Sequence, residues 1–254
     1  MIGTSLVHRV FPSPNIDARK DNVAPSILLL HYTGMQSYQS ACDWLCNPQA
    51  KVSCHYLISD RGEIIQMVSE DARAWHAGVS RWHNAVDINS QSIGIEIHNL
   101  GHDGGYPDFP LTQMRSVVAL CQDIVARNQI APEYVLAHSD VAPGRKIDPG
   151  EKFDWHMLFQ NGIGRWVSPL PLGTDKGLSE GATGEDVRQL QAMLVHYGYG
   201  LEVTGVYDAH TGIVVEAFQR HFRPEKVDGI ADQSTVGTLK NLIAGLDVIS
   251  THTI

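Results

Sequence analysis

The stretch Ser168-Pro169-Leu170-Pro171-Leu172-Gly173-Thr174-Asp175-Lys176-Gly177 holds two prolines and two glycines, and its apolar residues follow neither the helical nor the strand period. Proline fixes φ and removes a backbone donor, and glycine admits turns, so the stretch reads as a linker. A chain of 254 residues exceeds the usual single-domain size of roughly 100 to 150, which alone leaves one large or two unequal domains open. The linker selects two, over residues 1–167 and 178–254, separated by 168–177.

Composition narrows the class. Apolar types are 43% and charged types 19%, with 23 Gly and 12 Pro, which excludes a disordered, collagen-like or coiled-coil chain. Acidic residues outnumber basic ones 28 to 19, a net charge of −9, and this argues against nucleic acid as a partner. No apolar run approaches the roughly 20 residues of a membrane span. Met1 to Pro14 shows no hydrophobic segment followed by a small-residue cleavage site, so no Sec-type signal is read. Cys42, Cys46, Cys54 and Cys121 are expected as reduced thiols, since a chain this size needs no disulfide.

After the linker, Val203-Thr204-Gly205-Val206-Tyr207-Asp208-Ala209-His210-Thr211 recurs as Val227-Asp228-Gly229-Ile230-Ala231-Asp232-Gln233-Ser234-Thr235. Each copy is a glycine turn feeding a helix, with Asp208 and Asp232 placed to cap exposed N–H groups. Ile213, Ala217 and Phe218, then Val236, Leu239 and Ile243, follow at helical spacing, and a preceding helix carries Val187, Leu190 and Leu194. Three short helices make a compact bundle without a nucleophile or metal cluster, a binding or packing module. Leu178 to Leu246 resembles the peptidoglycan-binding domain family, on Asp186-Val187-Arg188-Gln189-Leu190-Gln191, Ala217-Phe218-Gln219 and the two turns. The resemblance implies a cell-wall ligand without locating its groove.

The first domain has mixed periodicity. Ser26 to Tyr32 reads as a buried strand, Gln36 to Cys46 as a helix ended by Asn47-Pro48, and Val52 to Gln66 as a hairpin turning at Asp60-Arg61-Gly62. In that hairpin Val52, Cys54, Tyr56 and Ile58 are expected on one face. Ser92 to Asn99 is another strand, in which Gly94 and Glu96 share a face, leaving room near the carboxylate. Thr112 to Asn128 repeats apolar residues at helical spacing, and Tyr134 to Ala137 is a short strand. The order predicts an α/β fold with a mixed central sheet flanked by helices, beside the smaller three-helix domain.

His31 and His138 stand at the ends of predicted strands, and Asp148 follows in a Pro- and Gly-rich loop able to fold back. Two imidazoles and a carboxylate suit a catalytic zinc site with a position left for water. With 13 histidines in the chain and no compact signature, spacing by itself leaves structural roles for them open. Five ordered blocks bear further on this: His31-Tyr32-Thr33-Gly34, Val52 to Ile58, Ala74-Trp75-His76-Ala77-Gly78, Ser92-Ile93-Gly94-Ile95-Glu96 and His138 to Lys146. Together they resemble the zinc N-acetylmuramoyl-L-alanine amidases, the amidase type 2 family.

That resemblance implies Zn2+ held by His31, His138 and Asp148, with Glu96 and Lys146 completing the catalytic group. Glu96 would take a proton from water and pass it to the leaving amine, and Lys146 would stand beside the oxyanion. The bond cut would join the lactyl group of N-acetylmuramic acid to L-Ala of a stem peptide, in peptidoglycan or muropeptide fragments. His55, Trp75 and His76 are candidate substrate contacts, with structural roles as the alternative, whereas His98, His102 and His156 are read as structural or surface residues. A Cys54/His55 nucleophilic pair is rejected because adjacent strand residues point apart. The rival functions are a recognition protein that binds muropeptides without cutting them and a zinc peptidase acting within the stem. A wall-binding module suggests the periplasm or cell envelope, and the lack of an export signal suggests the cytoplasm.

Overall fold

The computed structural model describes residues 3–250; Met1, Ile2 and residues 251–254, the last four assigned above to the second domain, lie outside the described residues. The first domain contributes strands β1 (Arg9–Val10), β2 (Ile16–Ala18), β3 (Ile27–Tyr32), β4 (Tyr56–Ile58), β5 (Ile64–Gln66), β6 (Ala72–Ala74), β7 (Ser92–Ile97) and β8 (Val135–Ala137). Its helices are α1 (Tyr38–Leu45), α2 (Ile88–Gln91), α3 (Leu111–Asn128), α4 (His138–Val141) and α5 (Trp155–Gln160). Six strands form one sheet in the order β1-β5-β4-β7-β3-β8, and β2 pairs with β6 apart from it. Only β4–β5 is antiparallel within the six, so the sheet is mixed, as expected.

The central strands read as continuous apolar runs because both their faces are covered. Leu28 and Leu30 of β3 join Ile93, Ile95 and Ile97 of β7 under α3, which buries Met114, Val117, Cys121 and Ile124. Ile27 and Leu29 face the other way. Helix α1 starts where the Ser37 hydroxyl accepts from the Ser40 amide at 3.1 Å, a cap that satisfies an otherwise orphaned N–H.

The hairpin is shorter than its sequence pattern. Strand pairing begins at Tyr56, and the amides of Met67 and Val68 both donate to the His55 carbonyl, at 2.8 and 3.4 Å. The chain bends at His55, just before β4, and the bend resets the alternation on that side of the hairpin. Cys54 therefore packs with Leu57, Ile65 and Met67, while Tyr56 and Ile58 face α3, against the expected common face.

The second domain is three helices, α6 (Glu185–Tyr197), α7 (Ala209–Phe222) and α8 (Gln233–Ser250). Asp208 accepts from the Thr211 amide and Asp232 from the Thr235 amide, each at 2.8 Å. Behind each turn lies a buried glutamine. The Gln191 side-chain oxygen accepts from the Thr204 and Gly205 amides at 2.9 and 2.8 Å. In the second copy, Gln219 accepts from Asp228 and Gly229 at 2.9 and 3.0 Å. Each carboxamide replaces water for a turn that the core would otherwise leave unpaired. Ile213, expected in this core, is half-buried and lies against Gly144 of the first domain, while Val214 and Val215 fill the bundle.

The segment 168–177 is fastened down. The Leu170 amide donates to Thr238 Oγ1 at 3.1 Å, the Ser234 hydroxyl donates to the Leu170 carbonyl at 2.5 Å, and Asp175 accepts from the Gln233 amide at 3.1 Å. Nor do the two domains keep separate cores. Ile27, Leu29, Trp82, Leu136 and Val141 belong to the same apolar cluster as Leu194, Tyr197, Tyr199, Val214 and Phe218. Trp82 packs within it, with the rings of Tyr199 and Tyr197 at 5.0 and 5.8 Å.

Candidate active site

Three neighbouring parallel strands set the site. His31 of β3 is in register with Glu96 of β7, and Leu30 is in register with Ala137 of β8, so His138 follows one step beyond its strand. One row at the carboxyl ends of β7, β3 and β8 thus presents Glu96, His31 and His138, where sites in such sheets gather. The loop after α4 returns Asp148 to them, and its carbonyl accepts from the Ser139 amide at 3.0 Å.

The Nδ1 atoms of His31 and His138 are 2.8 Å apart, and Asp148 Oδ2 lies 3.1 and 3.0 Å from them. The hydrogen-bond partners decide which atoms carry protons. Ser92 gives its hydroxyl proton to the Ile88 carbonyl at 2.6 Å, so towards His76 Nε2, 3.2 Å away, it can only accept. His76 Nδ1 is then bare and accepts from His31 Nε2–H at 3.0 Å, which leaves His31 Nδ1 bare. His138 Nε2 lies 3.0 Å from the Ala77 carbonyl, an acceptor, and 3.4 Å from Arg145 Nη2, a donor already engaged by that carbonyl; the shorter contact sets the proton of the neutral ring on Nε2 and leaves Nδ1 bare. Burial pushes the His31 pKa down to about 4, which keeps this ring neutral.

Three unprotonated acceptors, all buried, therefore point at one another at hydrogen-bond distance with no hydrogen between them. Lone pairs so arranged repel, and a cation is what relieves them. Two imidazoles and one carboxylate are zinc-type ligands, and the partners behind them, His76 and the Ala77 carbonyl, orient the rings.

Glu96 faces the same space. Its Oε2 is enclosed without a partner, and burial followed by the nearby Asp148 charge raises its pKa well above the usual carboxyl value. A cavity of about 480 Å³ opens here, lined by Glu96, Lys146, His76, His138 and Asp148. Trp75 is on its wall, with its indole N–H donating to Asp17 at 2.8 Å.

The structure does not bring His55 to the cavity. It is fully buried, its Nδ1 accepts from the Gly94 amide at 2.9 Å, and its Nε2 lies 3.1 Å from the Ala72 carbonyl. Burial and the Arg19 charge lower its pKa to about 3; it locks β7 to β6 from behind rather than contacting a substrate. His76 lines the cavity but is engaged with His31. The room expected beside Glu96 at Gly94 is also taken: a Cβ there would come within 2.5 Å of His76 Nδ1.

All four cysteines are free thiols. Burial raises Cys54 well above its ordinary value, and its Sγ contacts Met67 at 3.8 Å, so a thiolate nucleophile has no support. Sequence reasoning passed over Tyr32, Trp44 and Arg145, which line the cavity. Trp44 is 49% exposed, an unusual position for a large apolar ring on an amphipathic helix, and its exposure only becomes visible in three dimensions.

Comparison with known proteins agrees with this geometry. Residues 21–151 match the N-acetylmuramoyl-L-alanine amidase family, and residues 183–239 match the peptidoglycan-binding domain family. The N-acetylmuramoyl-L-alanine amidase AmiD of Escherichia coli (strain K12) is 35% identical over 229 residues, covering 85% of this chain and 82% of AmiD. The 1,6-anhydro-N-acetylmuramyl-L-alanine amidase AmpD of the same organism is 36% identical over 168 residues, 58% of this chain and 87% of AmpD. Among solved structures, the complex of E. coli AmiD with the substrate anhydro-N-acetylmuramic acid-L-Ala-D-gamma-Glu-L-Lys matches with a TM-score of 0.74 at 34% identity, covering 90% of this chain and 92% of AmiD. The chain therefore belongs to the N-acetylmuramoyl-L-alanine amidase family, hydrolases of the amide that joins N-acetylmuramic acid to L-Ala of peptidoglycan stem peptides.

Proposed function

We propose that this amidase is a zinc enzyme with His31, His138 and Asp148 as its protein ligands, and that its substrates include stem peptides on 1,6-anhydro-N-acetylmuramic acid. The meeting of three bare acceptor atoms in a buried pocket is the observation that carries the metal. The likeness to AmiD and AmpD, whose names and substrate complex specify the anhydro sugar, supports the second part.

Zinc, when bound, supplies Lewis acidity towards a carbonyl and brings the pKa of a water down to about 7. Glu96 takes a proton from the attacking water onto its carboxylate and delivers it to the amide nitrogen as the C–N bond breaks. Its raised pKa suits a group that must hold and then release a proton near neutrality. Lys146, two residues before Asp148 and on the cavity wall, sets a positive charge where the carbonyl oxygen turns anionic. Trp44 and Trp75 line the cavity, and their rings offer flat surfaces for a sugar. The products are a lactyl carboxylate on the sugar and a stem peptide with a free α-amine. The second domain, by its family likeness, holds the enzyme on peptidoglycan and raises the local substrate concentration.

Mass spectrometry of anhydromuropeptides digested by the purified chain tests this reading, together with its zinc content. Intact stem peptide and free anhydro sugar are expected, with activity abolished by a chelator and restored by zinc. Cleavage between stem residues would overturn the amidase assignment, and full activity in zinc-free protein would overturn the metal.

A further inference from the structure

The loop that carries His138 is tied to the second domain through one buried carboxylate. Asp140, two residues after His138 in α4, is completely buried. Its Oδ1 accepts from the Tyr199 hydroxyl at 2.7 Å. Its Oδ2 accepts from His221 Nδ1 at 2.7 Å and from the backbone amide of Ala137 at 2.8 Å. Tyr199 follows α6 and His221 belongs to α7, so both side-chain donors come from the second domain and the backbone donor is the residue immediately before the ligand.

The surroundings hold this carboxylate rigidly. The His221 ring stacks on Trp155 of α5 with centroids 3.7 Å apart and on Phe222 at 3.9 Å. The Tyr199 ring packs edge-on to Trp82, and the Gly198 carbonyl beside it accepts from the His83 amide at 2.7 Å. A buried carboxylate stripped of its donors costs far more than an exposed one, so without Tyr199 and His221 the Asp140 side chain would turn away and release the first turn of α4. That turn is continuous with the rest of the site. The Ala142 amide donates to the His138 carbonyl, the Lys146 amide donates to the Ala142 carbonyl, and the Ser139 amide donates to the Asp148 carbonyl, all at 3.0 Å.

We infer that the second domain, besides any role on the cell wall, positions the metal-ligand loop of the first: Tyr199 and His221 are positioning residues that act on His138 and Asp148 through Asp140. This goes beyond the metal reading above and rests on it for one of its two readouts.

The test uses the full chain with Tyr199→Phe, His221→Leu and His221→Asn. The phenylalanine removes one oxygen and keeps the ring against Trp82, so the fold survives even if the leucine variant does not fold. Asparagine restores an N–H close to the position of Nδ1. The first readout, taken on metal-free protein, is amide hydrogen exchange at Ala137 and Ser139, expected to quicken about tenfold or more in Tyr199→Phe and His221→Leu and to return near the wild-type rate in His221→Asn. The second is zinc affinity by chelator competition, expected to weaken about 10- to 100-fold in the same two variants, the range for groups that orient metal ligands, and to recover with asparagine. Unchanged exchange and unchanged affinity in folded Tyr199→Phe would overturn the inference, as would a His221→Asn protein as impaired as His221→Leu. Wild-type protein that takes up no zinc would sink the metal reading alone, since the exchange rates still report whether the second domain orders the loop.

Discussion

His31 Nε2 lies 3.0 Å from His76 Nδ1, and this contact determines which nitrogen of His31 faces Asp148. His76 is itself fixed by Ser92, so the proposed metal ligand is oriented two residues deep. Replacing His76 with Ala removes the acceptor and frees the His31 ring to rotate or change tautomer. We expect zinc affinity to fall about 10- to 100-fold, measured by chelator competition, with kcat largely recovered when zinc is supplied in excess. Gly94→Ala is expected to give the same phenotype more severely, because its Cβ would press on the His76 ring.

Glu96→Gln preserves shape and removes the proton acceptor. Its zinc content is expected to equal that of the wild type while kcat falls about 10²- to 10⁴-fold, the usual worth of a positioned general base. Metal analysis beside single-turnover rates checks both halves. Substantial activity in this variant would transfer the proton role to another group.

The pH profile follows from the same residue. In the proposed mechanism the useful form of Glu96 is the carboxylate, and burial and Asp148 raise its pKa, so activity is expected to be lost as pH falls through a value above the ordinary glutamate pKa of about 4.3. The acid limb of kcat/KM is expected above that point, with zinc retained throughout the measured range. An acid limb at or below the ordinary value would contradict the enclosed position of its Oε2.

Glu70 makes the opposite prediction for stability. It accepts from Tyr56 at 2.5 Å and from two nitrogens of Arg127 at 2.7 Å. Burial works to raise its pKa, but these donors lower it overall. A carboxyl with a depressed folded-state pKa stabilises fully above its unfolded value, near 4.3, and loses that contribution as pH falls through the folded value. Glu70→Gln is therefore expected to cost about 1 to 3 kcal/mol at pH 7 and less below pH 4, read from urea unfolding at both.

Gln219 ties the second repeat turn with bonds to Asp228, Gly229, Ile230 and Thr235. Gln219→Ala strands these groups in the core and is expected to cost about 2 to 4 kcal/mol. Because the two domains share an apolar cluster, the loss should lower one cooperative transition of the whole chain. Two transitions in calorimetry, only one of them shifted, would show that the shared cluster does not couple the domains.

Much of the fold was legible because its local signals agree with its global packing. The apolar run Leu28-Leu29-Leu30 announced a strand covered on both faces, the spacing of Met114, Val117, Cys121 and Ile124 announced α3, and Asp208 and Asp232 stood where helix caps belong. The short strands β1, β2 and β6 and the reset at His55 were not legible, since pairing partners far away in sequence decide where a ladder stops. His55 and His76 looked equivalent as histidines in adjacent blocks. Only packing separated them, one locked behind β7 and the other behind His31.

By itself the sequence determined the element types, the mixed α/β layout, the helical bundle and, through its ordered blocks, the identity of the candidate ligands His31, His138 and Asp148. Those are properties of residue type and local period, which the chain carries wherever it goes. The tertiary structure decided which ring nitrogens are bare, that Glu96 is enclosed, and that Asp140 answers to Tyr199 and His221 across the linker. Each of these depends on what lies within about 3 Å in space, and desolvation and hydrogen-bond geometry have no counterpart in the linear order of residues.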